Sequence, residues 1–351
     1  MSIPSFVRGR LRLIIGITAS VALALWVVAG LDLAAFALAL RNAEYGWLVP
    51  AVAVYFLGVA ARTWRWHYML RHLRPIGLWP LFRLVCIGYM GNNIYPARAG
   101  ELLRSYVLRR EYGVRMSASL ATVLVERLFD GLVMLLFVFV ALPFVALNDA
   151  LAVFRGPIAA LTILFVGALV VFLAIAARPA LARRLYTPLL LRVLPATAAA
   201  RALAVAERFM HGLESLARGR EVVAIFATSV LVWLFETAKY WFVMHAFPFD
   251  VSFFTLMLMN GIVNLATTIP GPPGHWVTFD APGIAVLAAA GVDQDVATAY
   301  TLVLHVALWL PITLLGAFFL SRDHLSPRQA RAAVERYDPP EGGTPPTEGT
   351  G

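Results

Sequence analysis

Three ionisable residues, Glu126, Arg127 and Asp130, stand within five positions of one apolar stretch. A charge at mid-bilayer costs about 2.5–3.5 kcal/mol on insertion scales, so three together are kept away from lipid. Glu126 and Asp130 are four apart and share a helix face, with Arg127 beside them. That spacing fits an ion-pair cluster pinning helices, and it fits equally a site for a charged group. A second set lies just upstream, in the run from Gly88 to Arg104: Asn92, Asn93, Arg98, Glu101 and Arg104. Arginine's planar fork matches phosphate oxygens, so this set points to anion recognition. Glu236 and Lys239 are three apart in another apolar stretch, close enough to pair with each other or to serve a head group. The run Pro270-Gly271-Pro272-Pro273-Gly274, followed by His275, Trp276, Thr278 and Asp280, breaks a helix and frees backbone groups for a ligand.

Other polar residues carry plainer readings. Arg62 and Arg65, beside Trp64, Trp66 and His67, read first as a snorkelling interface belt and second as a phosphate rim. Asn260 and Asn264 share a helix face and read as helix–helix glue. His305 reads as a packed core histidine. Cys86 is the only cysteine and sits in an apolar segment, which excludes an internal disulfide and a cysteine zinc cluster. No Walker A loop, His-Glu-x-x-His or Gly-x-Ser-x-Gly motif is present, so neither an ATP motor nor a hydrolase is indicated.

The elements that must position these residues are membrane helices. The chain has 351 residues, of which 60% are hydrophobic and 14% charged, against about 25% charged in a soluble domain. Mean hydropathy is +0.77. A crossing needs roughly 20 apolar residues, and stretches near 11–30, 47–69, 118–146, 157–177, 222–246 and 296–320 approach or reach that length. The first could be taken for a signal peptide, but its length and the spans that follow favour a retained helix. The chain therefore reads as an all-α polytopic bundle of about six full spans and two broken elements.

Arginine placement sets the topology. The N-terminus carries Arg8, Arg10 and Arg12, and the region 178–221 is also rich in arginine, so both are assigned to the cytoplasm. Arginines flank the segment 79–96 on both sides, which predicts a re-entrant segment there and a cytoplasmic loop at 98–115. The second broken element, 252–291, enters from the outer face. Entry from opposite faces suits an inverted repeat, although the two halves share no clear sequence repeat. Residues 197–218 have the apolar spacing of an interfacial helix. The tail, 323–351, stays in the cytoplasm and reads as disordered from about Pro339. The net charge of +9 points to anionic lipid head groups and away from nucleic acid, because the arginines cluster at helix ends.

The chain resembles the transmembrane region of the lysylphosphatidylglycerol synthase family, a flippase-like domain. Three blocks carry the likeness: Asn93 to Pro96 with Arg98, Gly100, Glu101 and Arg104; Glu126-Arg127 with Asp130; and Pro273-Gly274 followed by Phe279-Asp280-Ala281. It covers about residues 10–322, which would form one domain. The third block departs from the family's Pro-Gly-Gly-x-Gly-x-x-Glu pattern, with His275 and Val277 in place of glycines and Asp280 in place of glutamate. The resemblance implies a lipid or lipid-linked-glycan flippase of a bacterial plasma membrane, without the aminoacyl-transferase domain of bifunctional members and without a cofactor or metal. In that role Arg98, Arg104 and Arg127 would attract a phosphate head group, with Glu101, Glu126 and Asp130 orienting them. Glu236, Lys239 and Asp280 would line the outer half of the path, near Pro270 and Gly274. Expected partners are anionic or polyprenyl-phosphate-linked lipids, and further a second copy or an envelope enzyme. The competing expectations are a lipid-modifying transferase and a non-transporting partner of envelope enzymes.

Overall fold

The computed structural model describes residues 32–95, 99–145, 179–193, 219–267 and 278–322, with residues 167, 195, 198–200, 203 and 275 between them. Among these residues every regular element is a helix. α1 (Leu33–Asn42) is capped by Asp32, whose carboxylate accepts from the Ala34 and Ala35 amides. A 3-10 turn, Tyr45–Trp47, leads into α2 (Leu48–Leu70). There follow α3 (Leu78–Ile94), α4 (Gly100–Tyr112), α5 (Met116–Ala141), α6 (Pro179–Val193), α7 (Gly219–Met244), α8 (Phe253–Ala266), α9 (Asp280–Ala289) and α10 (Gln294–Arg322).

Among the described residues, three stretches are long and apolar enough to cross a bilayer: Tyr45–Leu70, Arg220–Met244 and Gln294–Arg322. α5, with 26 residues, is as long, but it carries Glu126, Arg127 and Asp130 near its middle. These four helices are the expected spans at 47–69, 118–146, 222–246 and 296–320. The expected spans at 11–30 and 157–177, most of the interfacial helix at 197–218, and the tail lie outside the described residues. α6 falls inside the expected loop 178–221. Its arginines keep its hydropathy low, yet Leu, Ala and Arg are strong helix formers.

The first broken element is a helical hairpin. Gly91 meets Gly100 and Leu103, and Gly88 meets Arg104. At the open end, Arg83 lies 3.3 Å from Glu111, and Arg74 Nη1 donates to the Tyr112 carbonyl at 2.6 Å. α3 therefore runs in and α4 runs back. This corrects the sequence reading, which put the whole re-entry in 79–96 and a water-facing loop at 98–115. The positive-inside rule counts arginines by position, but Arg104 turns inward and is buried. The turn is tight: a Cβ on Gly100 would lie 1.8 Å from the Gly88 carbonyl oxygen and 2.5 Å from the Asn92 amide nitrogen.

The second broken element pairs α8 with α9, where Gly283 packs against Met259. The two hairpins enter from opposite ends of the bundle. Near the open end of α3/α4, Trp79 and Phe82 meet Phe319 of α10 with ring centroids 5.8 and 6.5 Å apart. Arg71 pairs with Glu221 at the start of α7 at that same end. Near the open end of α8/α9, Phe249 meets Tyr300 in the first half of α10, and the Glu44 amide donates to the Ala246 carbonyl at 2.9 Å. Close helix crossings hold the frame. A Cβ on Gly316 of α10 would come within 2.4 Å of the Cys86 carbonyl, so α10 lies directly on α3.

Gly100→Ala is expected to lower the melting temperature in detergent sharply or abolish the monodisperse peak in size-exclusion chromatography. Gly131→Ala, with nothing within 4 Å of its added Cβ, should leave both unchanged or raise stability slightly, since alanine is the better helix former by about 1 kcal/mol.

Candidate functional site

Helical spacing gathers the polar side chains. On α7, Trp233, Glu236, Thr237 and Tyr240 follow i, i+3, i+4, i+7 and so share one face. On α2, Tyr55 and Arg62 are seven apart, and Arg65 follows within the next turn. Glu126 and Asp130 give α5 its inward polar face.

Asp130 is the hub, with a side chain 1% exposed. Arg65 donates to both of its oxygens, at 2.6 and 3.3 Å, and also to Ser229 Oγ at 2.6 Å. Trp233 Nε1 donates to Asp130 Oδ1 at 3.1 Å. Arg62 and Arg127 lie 3.6 and 3.7 Å from Asp130 Oδ2. Three arginines therefore converge on one carboxylate.

The network extends to both sides of this hub. Arg62 donates to Glu236 Oε1 at 3.0 Å, and its guanidinium lies 4.7 Å from the Trp233 ring. The other Glu236 oxygen takes Lys239, whose ammonium sits 4.5 Å from the centre of the Tyr55 ring. Arg104 pairs with Glu126 and stacks over Trp66 at 4.5 Å. Arg127 Nε is 3.0 Å from Glu101 Oε1. Arg62, Arg65 and Arg104 are buried, whereas the Arg127 side chain is 35% exposed.

Arg127 opens onto a cavity of about 160 Å³. The tips of both hairpins reach it: Asn92 and Asn93 from α3, Asn264 and Thr267 from the end of α8, and His275 and Phe279 ahead of α9. α2 adds Tyr55 and Arg62, α7 adds Trp233, Glu236, Lys239 and Tyr240, and α10 adds His305, Leu308 and Trp309. A smaller hollow of about 20 Å³ shares Arg62, Tyr89, Asn92 and Arg127 with it and runs toward Glu101, Arg104 and Glu126. That is room for one water. On the far wall, His305 Nδ1 lies 2.8 Å from Asp280 Oδ1, with the Phe279 ring 4.7 Å from the imidazole.

Of the residues singled out by sequence, Asn92, Asn93, Arg127, Glu236 and Lys239 line the cavity itself. Glu101, Arg104, Glu126 and Asp130 surround the arginines behind it, and Asp280 reaches it through His305. Arg98, Pro270 and Gly274 lie outside the described residues. Asn260 acts as helix–helix glue, its Nδ2 donating to Thr237 Oγ1 of α7 at 3.0 Å, whereas Asn264 Nδ2 donates to Asn260 Oδ1 within α8 at 2.8 Å and Asn264 lines the cavity. Two readings change. Arg62 and Arg65 are not an interface belt but the centre of the network, and His305 is a cavity residue as well as a packed one. Depth was the available signal for Arg62. It lies eight residues before the end of α2, about 12 Å along the axis, which is far for a side chain to snorkel. Tyr55, Tyr89, Trp233, Tyr240 and Trp309 were also missed, because aromatics in apolar helices look like ordinary core.

Among the described residues, no group of three His, Cys, Asp or Glu side chains is placed to hold a metal. The carboxylates around the cavity are each paired with a cation or a histidine. The arrangement can hold an anion at Arg127 and hydrogen-bond polar groups around it.

A bundle of apolar helices enclosing a charged, hairpin-tipped cavity defines an integral membrane protein with an internal polar site. The chain belongs to the family described as the lysylphosphatidylglycerol synthase TM region, which it matches over residues 13–316. Similar proteins include two from Methanothermobacter thermautotrophicus, each named "UPF0104 membrane protein". One is 26% identical over 290 residues, covering 78% of this chain and 83% of the relative; the other is 25% identical over 325 residues, covering 88% and 94%. The chain is also 30% identical over 121 residues to the glycosyltransferase AglD of Haloferax volcanii, a stretch that spans 30% of this chain and 19% of that protein. No solved structure matches.

Asp130→Ala should destabilise the protein by about 3–5 kcal/mol, because removing one partner leaves buried charges uncompensated. Arg127→Ala should cost much less, since Arg127 already faces the cavity. Thermal unfolding of the two variants in detergent checks the order.

Proposed function

We propose that the protein carries a phosphate-bearing amphiphile between membrane leaflets, with the head group crossing through the cavity and the tails remaining in lipid. The observation that carries this reading is Arg127. It is a cation inside a membrane bundle, flanked by Glu101 and Asp130, yet its side chain is 35% exposed and lines the cavity. A guanidinium so placed is a ready phosphate partner. The opposed hairpins supply a route. They bring Asn92 and Asn93 from α3 and Asn264 and Thr267 from the end of α8 to one cavity, and a shift of either hairpin would change access from one side, as in alternating access around a fixed site.

The same geometry favours transport over covalent chemistry. A general base must be free to take a proton, and the carboxylates here are tied up in ion pairs. This supports a transporter without enzymatic activity over the lipid-modifying reading. The end carrying Arg71, Arg74, Arg83, Arg109 and Arg110 is assigned to the cytoplasm of a prokaryotic cell by the positive-inside rule, with both termini on that side.

Purified protein in liposomes containing labelled phosphatidylglycerol or polyprenyl phosphate tests this. Wild type is expected to speed leaflet exchange, and Arg127→Ala to slow it at least tenfold with little change in melting temperature. Arg127→Lys should fall between, as it keeps the charge and loses the fork. Exchange of no anionic lipid by the wild type overturns the reading.

A further inference from the structure

Resting on the transport reading above, we infer that the protein is a proton-coupled carrier, with His305 and Asp280 holding one proton in the cavity alongside the anionic head group.

A coupling site needs a group whose charge changes near neutral pH. Most ion pairs of the cluster cannot supply it. Glu101, Glu126, Asp130 and Glu236 each meet an arginine, and a guanidinium keeps its charge in proteins. Asp280 meets a histidine: His305 Nδ1 lies 2.8 Å from Asp280 Oδ1. Histidine is the side chain whose charge ordinarily changes between about pH 5 and 8. With Nδ1–H donating to the carboxylate, the proton gained or lost is the one on Nε2, so the contact survives the exchange.

The pair sits where a proton and a head group can meet. His305 lines the same cavity as Arg127. The two side chains are buried, 5% and 11% exposed, and ionisable groups at such depth are recurrent parts of proton relays in pumps and transporters. The pair also joins two elements. Asp280 opens α9 on the second hairpin, while His305 belongs to α10, which packs on α3. Gain or loss of the proton therefore changes the attraction that holds a hairpin to the frame.

Other groups face the same space. Arg62 comes from α2, Arg127 from α5, and Glu236 and Lys239 from α7, with Glu236 shared by Arg62 and Lys239. Tyr55 of α2, Tyr89 of α3 and Tyr240 of α7 contribute hydroxyls, a group that ordinarily stays neutral in this pH range. His275, ahead of α9, is the other histidine at the wall among the described residues. An anion in the cavity favours a proton on His305, and a protonated His305 favours an anion. Each raises the affinity for the other by the same factor, which makes symport the natural coupling. A phosphodiester head group that crosses with one proton moves no net charge.

Leaflet exchange of labelled phosphatidylglycerol by the full-length protein in liposomes tests this. That diester keeps its charge over the range, so the profile reports the protein. Where only polyprenyl phosphate exchanges, its own titration is common to all variants and cancels between them. At equal pH on both sides, exchange should quicken about fivefold or more from about pH 8 to about pH 6. With the outside more acidic, wild type should drive labelled lipid into the inner leaflet beyond what protein-free vesicles show. His305→Gln should lose both the pH dependence and the asymmetry. Asp280→Asn removes the charge that favours the imidazolium, so its profile should shift to lower pH. His275→Gln should keep the shape of the wild-type profile. Exchange that is equal at every pH and ignores the gradient overturns this inference and leaves the transport reading standing. So does a profile that survives in His305→Gln. A pH dependence with no gradient-driven asymmetry marks a switch and overturns coupling as well. Exchange of neither lipid removes both readings.

Discussion

The structure turns on one buried carboxylate. Asp130 receives Arg65 through two hydrogen bonds and Trp233 through a third, with Arg62 and Arg127 close by. These partners come from α2, α5 and α7, so a single residue fixes the relative depth and rotation of three long helices. Apolar packing alone does this poorly in a membrane, because lipid tails compete with side chains on equal terms. An ion pair in a low-dielectric interior has steep angular and distance demands, and a register error strands a charge. The cluster therefore specifies the arrangement even where it adds little net stability.

That fixed frame lets the two hairpins do something helices of a plain bundle cannot. α3/α4 and α8/α9 stop partway, and their tips bring asparagines and a histidine to the same cavity from opposite ends. Close approach at Gly88, Gly91 and Gly100 keeps the first hairpin narrow enough to sit inside the bundle. Arg104, on its returning arm, then reaches Glu126 on α5. Four arginines of the cluster crowd a small volume, and three of them are buried. Arg127 alone among these keeps substantial exposure, so the proposed anion contact falls to it.

The large outline was legible in the sequence because hydropathy reports burial in lipid directly. Four long spans and both broken elements follow from it. The hairpin's return arm was hidden because Gly100–Tyr112 is rich in arginine, and charge was read as exposure to water. The same assumption misplaced Arg62 and Arg65. An arginine whose partner is a carboxylate far along the chain, as Arg62 is with Glu236 and Arg65 with Asp130, carries no local mark of being buried. The carboxylates were easier to find, since Glu126 and Asp130 sit in an apolar run with no aqueous end nearby. Their partners could be identified only once the helices were packed.

His275 shows how the chain modifies its family's pattern without abandoning the backbone beneath it. The pattern has glycine at this position, and His275 still adopts a left-handed conformation with φ 61°. A non-glycine residue there costs of order 1–3 kcal/mol, and such outliers persist where surrounding structure imposes them. Here the His275 carbonyl accepts from the Phe279 amide at 3.0 Å and from Thr278 Oγ1 at 3.1 Å, which anchors the turn into α9. The turn sets Phe279 against the His305 ring, and Asp280, one carbon shorter than the family's glutamate, meets His305 across the gap. The two departures fit together. A side chain where the family has none fills part of the cavity wall, and a shorter acid is drawn into a histidine pair. His275 takes up space in the cavity wall, and the pairing with His305 engages the acid at this end of the cavity.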